Sequence, residues 1–206
     1  MENVGFRKIG PSDHGGSGRL PQYLSMQVKK WPENEARFKE LVLYVCQKCV
    51  NDRKFGATKL NKILYFADFL AYAELGEPIT GMEYQKLPNG PAPRRLKPIR
   101  EQMVRDRELA LQCVRLVSGR VQERPVNLRP ARLGTFTPEQ ISLVDGVIEA
   151  LRDSTAEEVS ELSHRMVGWK VVDTNETIPY ETIFVSDEPL TEADIQRAQE
   201  LARQIS

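Results

Sequence analysis

Residues 59–75 read KLNKILYFADFLAYAEL, and the fold turns on how that run is read. Leu60, Ile63, Leu64, Phe66, Ala67, Phe69, Leu70 and Ala71 leave little room for a solvated face, and a helix apolar nearly all round sits in the middle of a bundle. Thr58 is a good N-cap, and Gly76 with Pro78 just beyond is the usual helix exit. The pattern predicts one central core helix. On it, Asn61, Tyr65, Asp68 and Tyr72 recur at i, i+4, i+7 and i+11, a polar stripe on one face. A buried carboxylate such as Asp68 is costly unless paired or hydrogen-bonded. Two readings stay open: a structural network in which backbone, lysine or arginine satisfies Asp68, or a stripe that lines a groove for a partner.

Working outward, Phe38, Leu41, Val42, Val45 and Cys49 fall on one face of an amphipathic helix between Pro32 and about Asp52. Leu87-Pro88-Asn89-Gly90-Pro91-Ala92-Pro93 holds three prolines and a glycine, which excludes helix and central strand and predicts a rigid loop. A short helix is expected from Arg94 to about Asp106, with Pro98 in its first turn. Residues 109–117 and 120–128 alternate around Ser118-Gly119, a hairpin in which Pro125 restricts its strand to an edge. Thr137-Pro138-Glu139-Gln140 and Thr155 to Glu158 are capping boxes, the first followed by Ile141, Val144, Ile148 and Leu151, the second by Val159 and Leu162. Thr191 caps a last helix carrying Ile195, Ala198, Ala202 and Ile205, with Leu190 as its staple. The expected class is mainly α (α+β): a compact helical bundle with a central apolar helix and one small β-hairpin. Residues 1–30, with Gly10-Pro11 and Gly15-Gly16-Ser17-Gly18, read as a flexible N-terminal tail, and 31–206 as a single helical domain.

Hydrophobic residues at 40% and charged residues at 28% of 206 are ordinary globular usage, so disordered and fibrous classes are excluded. No stretch approaches the roughly 18 apolar residues of a membrane span, and no signal-peptide pattern opens the chain. Three cysteines are not a secreted disulfide framework, and the expectation is a cytoplasmic protein with reduced thiols. The net charge of zero hides an asymmetry. Residues 94–132 carry eleven Arg or Lys against four acidic residues, whereas residues 133–206 carry five against fifteen. Two faces of opposite potential follow, the first open to a polyanion or acidic protein and the second to a basic protein.

Little in the chain points to chemistry. Cys46-Gln47-Lys48-Cys49 is a CxxC on a helix without a second pair, and a zinc site needs four ligands, so the expectation is no metal and no cofactor. There is no nucleophile elbow, phosphate cradle or HExxH, so no enzyme is expected. A hydrolase built on His164 and Asp68 is the catalytic alternative, and it requires both in one accessible cleft. In Ser163-His164-Arg165-Met166-Val167-Gly168-Trp169, the His and Trp read either as packing residues or, beside a loop, as interface anchors. The arginines of 94–132 keep a nucleic-acid-binding regulator as an alternative, although no interleaved aromatics suggest stacked bases.

Thr58-Lys59-Leu60-Asn61-Lys62-Ile63-Leu64-Tyr65-Phe66-Ala67-Asp68, then Gly90-Pro91, then Ser163-His164 with Trp169, resembles the Panacea domain of SocA-like antitoxins over about residues 35–185. The sequence departs from that family at Asn89, where an aromatic is more usual, and in the arginine-rich stretch after Pro93. The resemblance implies a mainly helical, phage- or prophage-associated antitoxin that binds and neutralises a protein toxin encoded nearby. Some SocA-like members act instead as proteolytic adaptors that deliver the toxin to a AAA+ protease. Partner-binding candidates on this reading are Asn61, Tyr65, Asp68, Tyr72, Tyr84, Gly90, Pro91, His164 and Trp169, of which Tyr65, Tyr84, His164 and Trp169 are the expected anchors.

Overall fold

The computed structural model describes residues 29–115, 119 and 121–187, together with 192, 196, 197, 200 and 203. The expected tail therefore lies almost wholly outside the described residues, as does most of the helix expected after Thr191. Among the described residues no helix is long and apolar enough to cross a membrane.

Helix α1 (Glu35–Lys48) starts at Asn34, whose side chain accepts the Arg37 N–H, and buries Phe38, Leu41, Val42 and Val45. Helix α2 (Ala57–Leu75) is the apolar run, and Gly76 closes it at φ 78°, donating its N–H to the Tyr72 carbonyl. Its start is a correction: Gly56, not Thr58, is the N-cap, with no side-chain cap. A Cβ at Gly56 would lie 2.4 Å from Gln122 Nε2, so a larger residue there would require the Gln122 side chain to move aside.

Helix α3 (Leu96–Arg105) takes Pro98 in its first turn. Strands β3 (Leu109–Arg115) and β4 (Val121–Asn127) then pair antiparallel, from Leu109 opposite Asn127 to Arg115 opposite Val121. Pro125 is tolerated because each strand of this pair is an edge. Helices α4 (Pro138–Leu151) and α5 (Ala156–His164) both begin with reciprocal capping boxes, on Thr137 and Thr155.

The single expected hairpin understates the β content. Two-residue strands β1 (Tyr84–Gln85), β2 (Ala92–Pro93) and β5 (Thr177–Ile178) form a second antiparallel sheet in the order β2-β1-β5. The expected loop thus ends in a strand, with Pro93 on the sheet edge. A five-residue helix α6 (Val167–Val171) and 3-10 turns at Leu133–Thr135 and Tyr180–Phe184 were likewise unsignalled. Elements this short carry no readable period. The domain is α+β and mainly helical, with α1, α4, α5, β2, β4 and the Tyr180–Phe184 turn packed around α2.

Enclosing α2 forces its charged groups to find partners. Lys59 is 1% exposed, and its three ammonium donors reach Asp52 Oδ2 at 2.6 Å, the Arg152 carbonyl at 2.7 Å and the Ser154 carbonyl at 3.0 Å. One side chain thereby ties the start of α2 to the loop after α1 and to the α4–α5 turn. Arg124 of β4 performs a similar service, donating to the carbonyls of Cys49, Val50, Asp52 and Phe55.

Asp68 is fully buried. Its Oδ1 accepts the Thr80 N–H at 2.8 Å, and its Oδ2 accepts the Thr80 hydroxyl. The Tyr84 hydroxyl lies 2.8 Å from both Asp68 Oδ2 and the Leu64 carbonyl and is placed to donate to either. Burial pushes the Asp68 carboxyl above its ordinary range, against the opposing hydrogen bonds from Thr80 and Tyr84.

Asp68→Ala strands the Thr80 donors, and it is expected to lower unfolding free energy by about 3 kcal/mol in urea melts. Asp68→Asn tests the raised pKa. A carboxyl with a raised folded pKa gives its full stability below the ordinary value of 3.8 and loses it as pH rises. The stability of the wild type relative to Asp68→Asn should therefore fall as pH rises above about 4.

Candidate functional site

The segments that carry the sequence signature meet in one place. After β1 the chain turns at Leu87-Pro88-Asn89-Gly90, with the Gly90 N–H donating to the Leu87 carbonyl at 2.9 Å. Gly90 has φ +94°, a conformation that suits glycine. A Cβ there would lie 2.3 Å from Ser163 Oγ and 2.7 Å from Lys62 Nζ. The loop is thus pressed against α2 on one side and α5 on the other, closer than any side chain permits. Lys62 Nζ donates to the Pro91 carbonyl at 3.0 Å, and Pro91 is buried.

From the far end of the chain, α5 and α6 complete the clasp. His164 and Trp169 stack at 4.0 Å between centroids and 22° between planes. Trp169 Nε1 donates to the Leu87 carbonyl at 3.1 Å, and Lys86 lies 4.6 Å from the indole centroid. Gly168 lets α6 sit against the following turn, since a Cβ would be 2.2 Å from Thr182 Oγ1. His164 and Trp169 are half-buried, and His164 Nε2 is buried without a hydrogen-bond partner among the described residues. Burial first, then the positive charge of Lys62, pushes the imidazole below its ordinary range, so the ring is neutral at pH 7.

The expected site residues therefore divide. Gly90, Pro91, His164 and Trp169 come together. Tyr65, Asp68 and Tyr84 come together elsewhere, sealed in the core at no more than 1% exposure, so in this fold they cannot be partner contacts. Tyr65 and Tyr84 were expected anchors, and that role is corrected: their rings pack edge-on at 5.6 Å inside the aromatic core with Phe69. The stripe does not line one groove. Asn61 faces a cavity of about 470 Å³ beside Gln85 and Arg100, and its Oδ1 has no partner among the described residues. Tyr72, at the other end of α2, packs against Trp31, Tyr180 and Phe184.

Lys62 is the residue that reading the sequence missed as part of the site. It is 1% exposed, yet its ammonium has the Pro91 carbonyl as the one acceptor seen among the described residues. Burial accordingly brings its pKa down to about 7. The available signal was a lysine inside an otherwise apolar helix, three residues after another lysine.

Cys46 and Cys49 are both buried, and burial raises both thiols, Cys49 to about 12, so neither is a thiolate at neutral pH. Much of the basic stretch is engaged internally. Arg100 pairs with Glu123, Arg129 with Glu40 and Glu108, Arg95 with Glu33 and Glu35, and Arg124 binds carbonyls as above.

These features define an α+β domain organised on one enclosed helix and closed by a Gly-Pro loop under a His-Trp stack. The family model for the antitoxin SocA-like, Panacea domain matches residues 60–170, more than half of the chain, and the chain belongs to that family. No curated protein and no solved structure matches it. The family assigns the chain an antitoxin role, and hence a toxin as its partner.

Two outcomes test the clasp. Gly90→Ala combines an unfavourable φ with two collisions, and is expected to cost about 2–4 kcal/mol in urea unfolding. Lys62, with a folded pKa of about 7 against 10.5 in the unfolded chain, binds fewer protons when folded. Stability should therefore rise with pH between those values, and Lys62→Met should abolish that slope in urea midpoints taken across the range.

Proposed function

We propose that this protein is an antitoxin that neutralises a cognate protein toxin, encoded nearby, by direct contact in the cytoplasm, and that it has no catalytic activity of its own. The observation that carries this reading is the family match over residues 60–170. The site geometry supports it. The signature residues hold the fold together, and a hydrolase using Asp68 with His164 is disfavoured because Asp68 has no exposed surface. Binding to nucleic acid is disfavoured as well, since Arg95, Arg100, Arg124 and Arg129 are tied to carboxylates or carbonyls of the chain itself. Capture of a protein by contact calls for an interface of roughly 800 Å² on each partner.

Co-expression with the neighbouring open reading frame tests the proposal, scored by growth and by co-elution on a sizing column. The expected result is a neighbour that arrests growth alone, is tolerated with this protein, and elutes with it as one complex. Rescue without a complex, accompanied by protease-dependent loss of the toxin, would replace direct neutralisation by adaptor-type delivery. A harmless neighbour would remove the proposal for this gene pair.

A further inference from the structure

Between α2 and the α4–α5 pair runs a groove of about 870 Å³, open to solvent. Phe66, Leu70, Leu75, Leu143 and Leu162 line it, and Leu75 and Leu162 keep 39% and 41% of their surface exposed. Together these side chains make a contiguous apolar surface within one concave site, whereas exposed Val50, Val121 and Leu128 line none of the cavities found among the described residues.

Helix α4 presents Ser142, Gly146 and Ala150 to the groove at i, i+4 and i+8, so all three share one face. Gly146 is the informative one. Glycine in a helix interior costs about 1 kcal/mol relative to alanine. A Cβ at Gly146 would meet nothing within 4 Å among the described residues, so internal packing does not require the glycine. Its absent side chain leaves room for another backbone to approach α4.

The charge around the groove limits what could lie there. Glu74 and Glu139, the charged side chains in the groove walls, are both acidic, while of the other carboxylates of α4, Asp145 is bonded to Tyr44 and Lys48 of α1 and Glu149 to Arg152. The chain's own residues 188–206 carry four acidic side chains against two arginines, and would be repelled.

We propose that this groove docks an amphipathic helix of the toxin, its apolar face seated along α4 opposite Gly146 and its flanks rich in lysine or arginine. The proposal rests on the antitoxin reading above and names the surface and the partner chemistry for it. An apolar face held by acidic walls gives both affinity and a preference for basic partners.

The test uses the full chain and a fluorescein-labelled helical peptide of leucine and lysine, with leucines at i, i+3, i+4 and i+7, beside a twin in which glutamate replaces lysine. Fluorescence anisotropy should show the lysine peptide binding, the glutamate twin not binding, and Gly146→Trp weakening the lysine peptide by about tenfold or more. Gly146→Ala, which leaves the groove open, serves as the folded control. The double variant Glu74→Lys with Glu139→Lys gives a second reading that does not depend on accommodating tryptophan. Equal affinity for wild type and Gly146→Trp, or equal binding of the glutamate twin, overturns the proposal.

Other occupants would also overturn it. A peptide that binds only after Ile195→Glu would assign the groove to the chain's own C-terminal segment, and a dimer dissolved by Gly146→Trp would assign it to a second copy. With the toxin itself, a Gly146→Trp variant that still rescues growth and still co-elutes overturns the groove while leaving neutralisation standing. Failure of the wild type to rescue is instead a failure of the antitoxin reading.

Discussion

Enclosing a helix that carries ionisable groups is the constraint from which the rest of the structure follows. Helix α2 places Lys59, Lys62 and Asp68 out of water, and an unpaired buried charge costs more than a domain of this size can spare. Each group is settled differently. Lys59 is met in full, because a carboxylate and two carbonyls take all three of its donors. Asp68 is pushed toward its neutral form by burial while Thr80 and Tyr84 donate to it. Lys62, with one carbonyl, is brought close to neutrality at physiological pH. These solutions determine where neighbouring segments go: the Asp52 loop and the α4–α5 turn over Lys59, Thr80 and Tyr84 over Asp68, Pro91 over Lys62.

The same economy explains the uneven charge. Arginines of 94–132 are used within the chain, and Arg124 alone donates to four carbonyls of the segment between α1 and α2. A guanidinium suits this task, having five donors in a fixed plane and a charge that burial does not remove. Arg129 bridges Glu40 and Glu108, which draws the β3–β4 region onto α1. A basic segment used in this way presents less positive surface than its composition suggests. The carboxylates of α4 and α5 include several, such as Glu157 and Glu161, that stay exposed, so the acidic half is the one that faces outward.

The five longer helices, α1 to α5, were legible because their signals are local. The period of α2, the two capping boxes and the Gly76 exit each lie within a few residues, and each is found in place. The second sheet was not legible, since Tyr84–Gln85, Ala92–Pro93 and Thr177–Ile178 pair across long separations with two residues apiece. The site was half legible for the same reason. Gly90-Pro91 and His164 with Trp169 could be singled out as motifs, yet their meeting depends on Leu87, whose carbonyl accepts from both Gly90 and Trp169, and on Lys62 beneath them. Tyr65, Asp68 and Tyr84 illustrate the opposite error. A polar stripe on a helix reads the same whether it faces a partner or the chain's own Thr80, and only the packing of residues 79–84 against α2 decides between them.

That outcome bears on where specificity is written. Lys59, Asp68, Gly90 and Pro91, with Lys62 beneath the loop, are spent on contacts within the chain, and His164 and Trp169 chiefly so, closing the loop that Leu87 anchors. A residue committed in this way cannot be exchanged to suit a different partner without loosening the scaffold. The positions free to vary are those whose side chains meet nothing inside the chain, and Gly146 is such a position: its glycine weakens α4 and gains nothing from its neighbours. On the proposal of neutralisation by contact, the scaffold and the recognition surface are thereby separated, with α2 common to both. Lys62 meets the clasp, and Phe66 and Leu70, one and two turns further along the same side of α2, meet the groove, so the helix that carries the family signature also forms a wall of the surface proposed to read the partner.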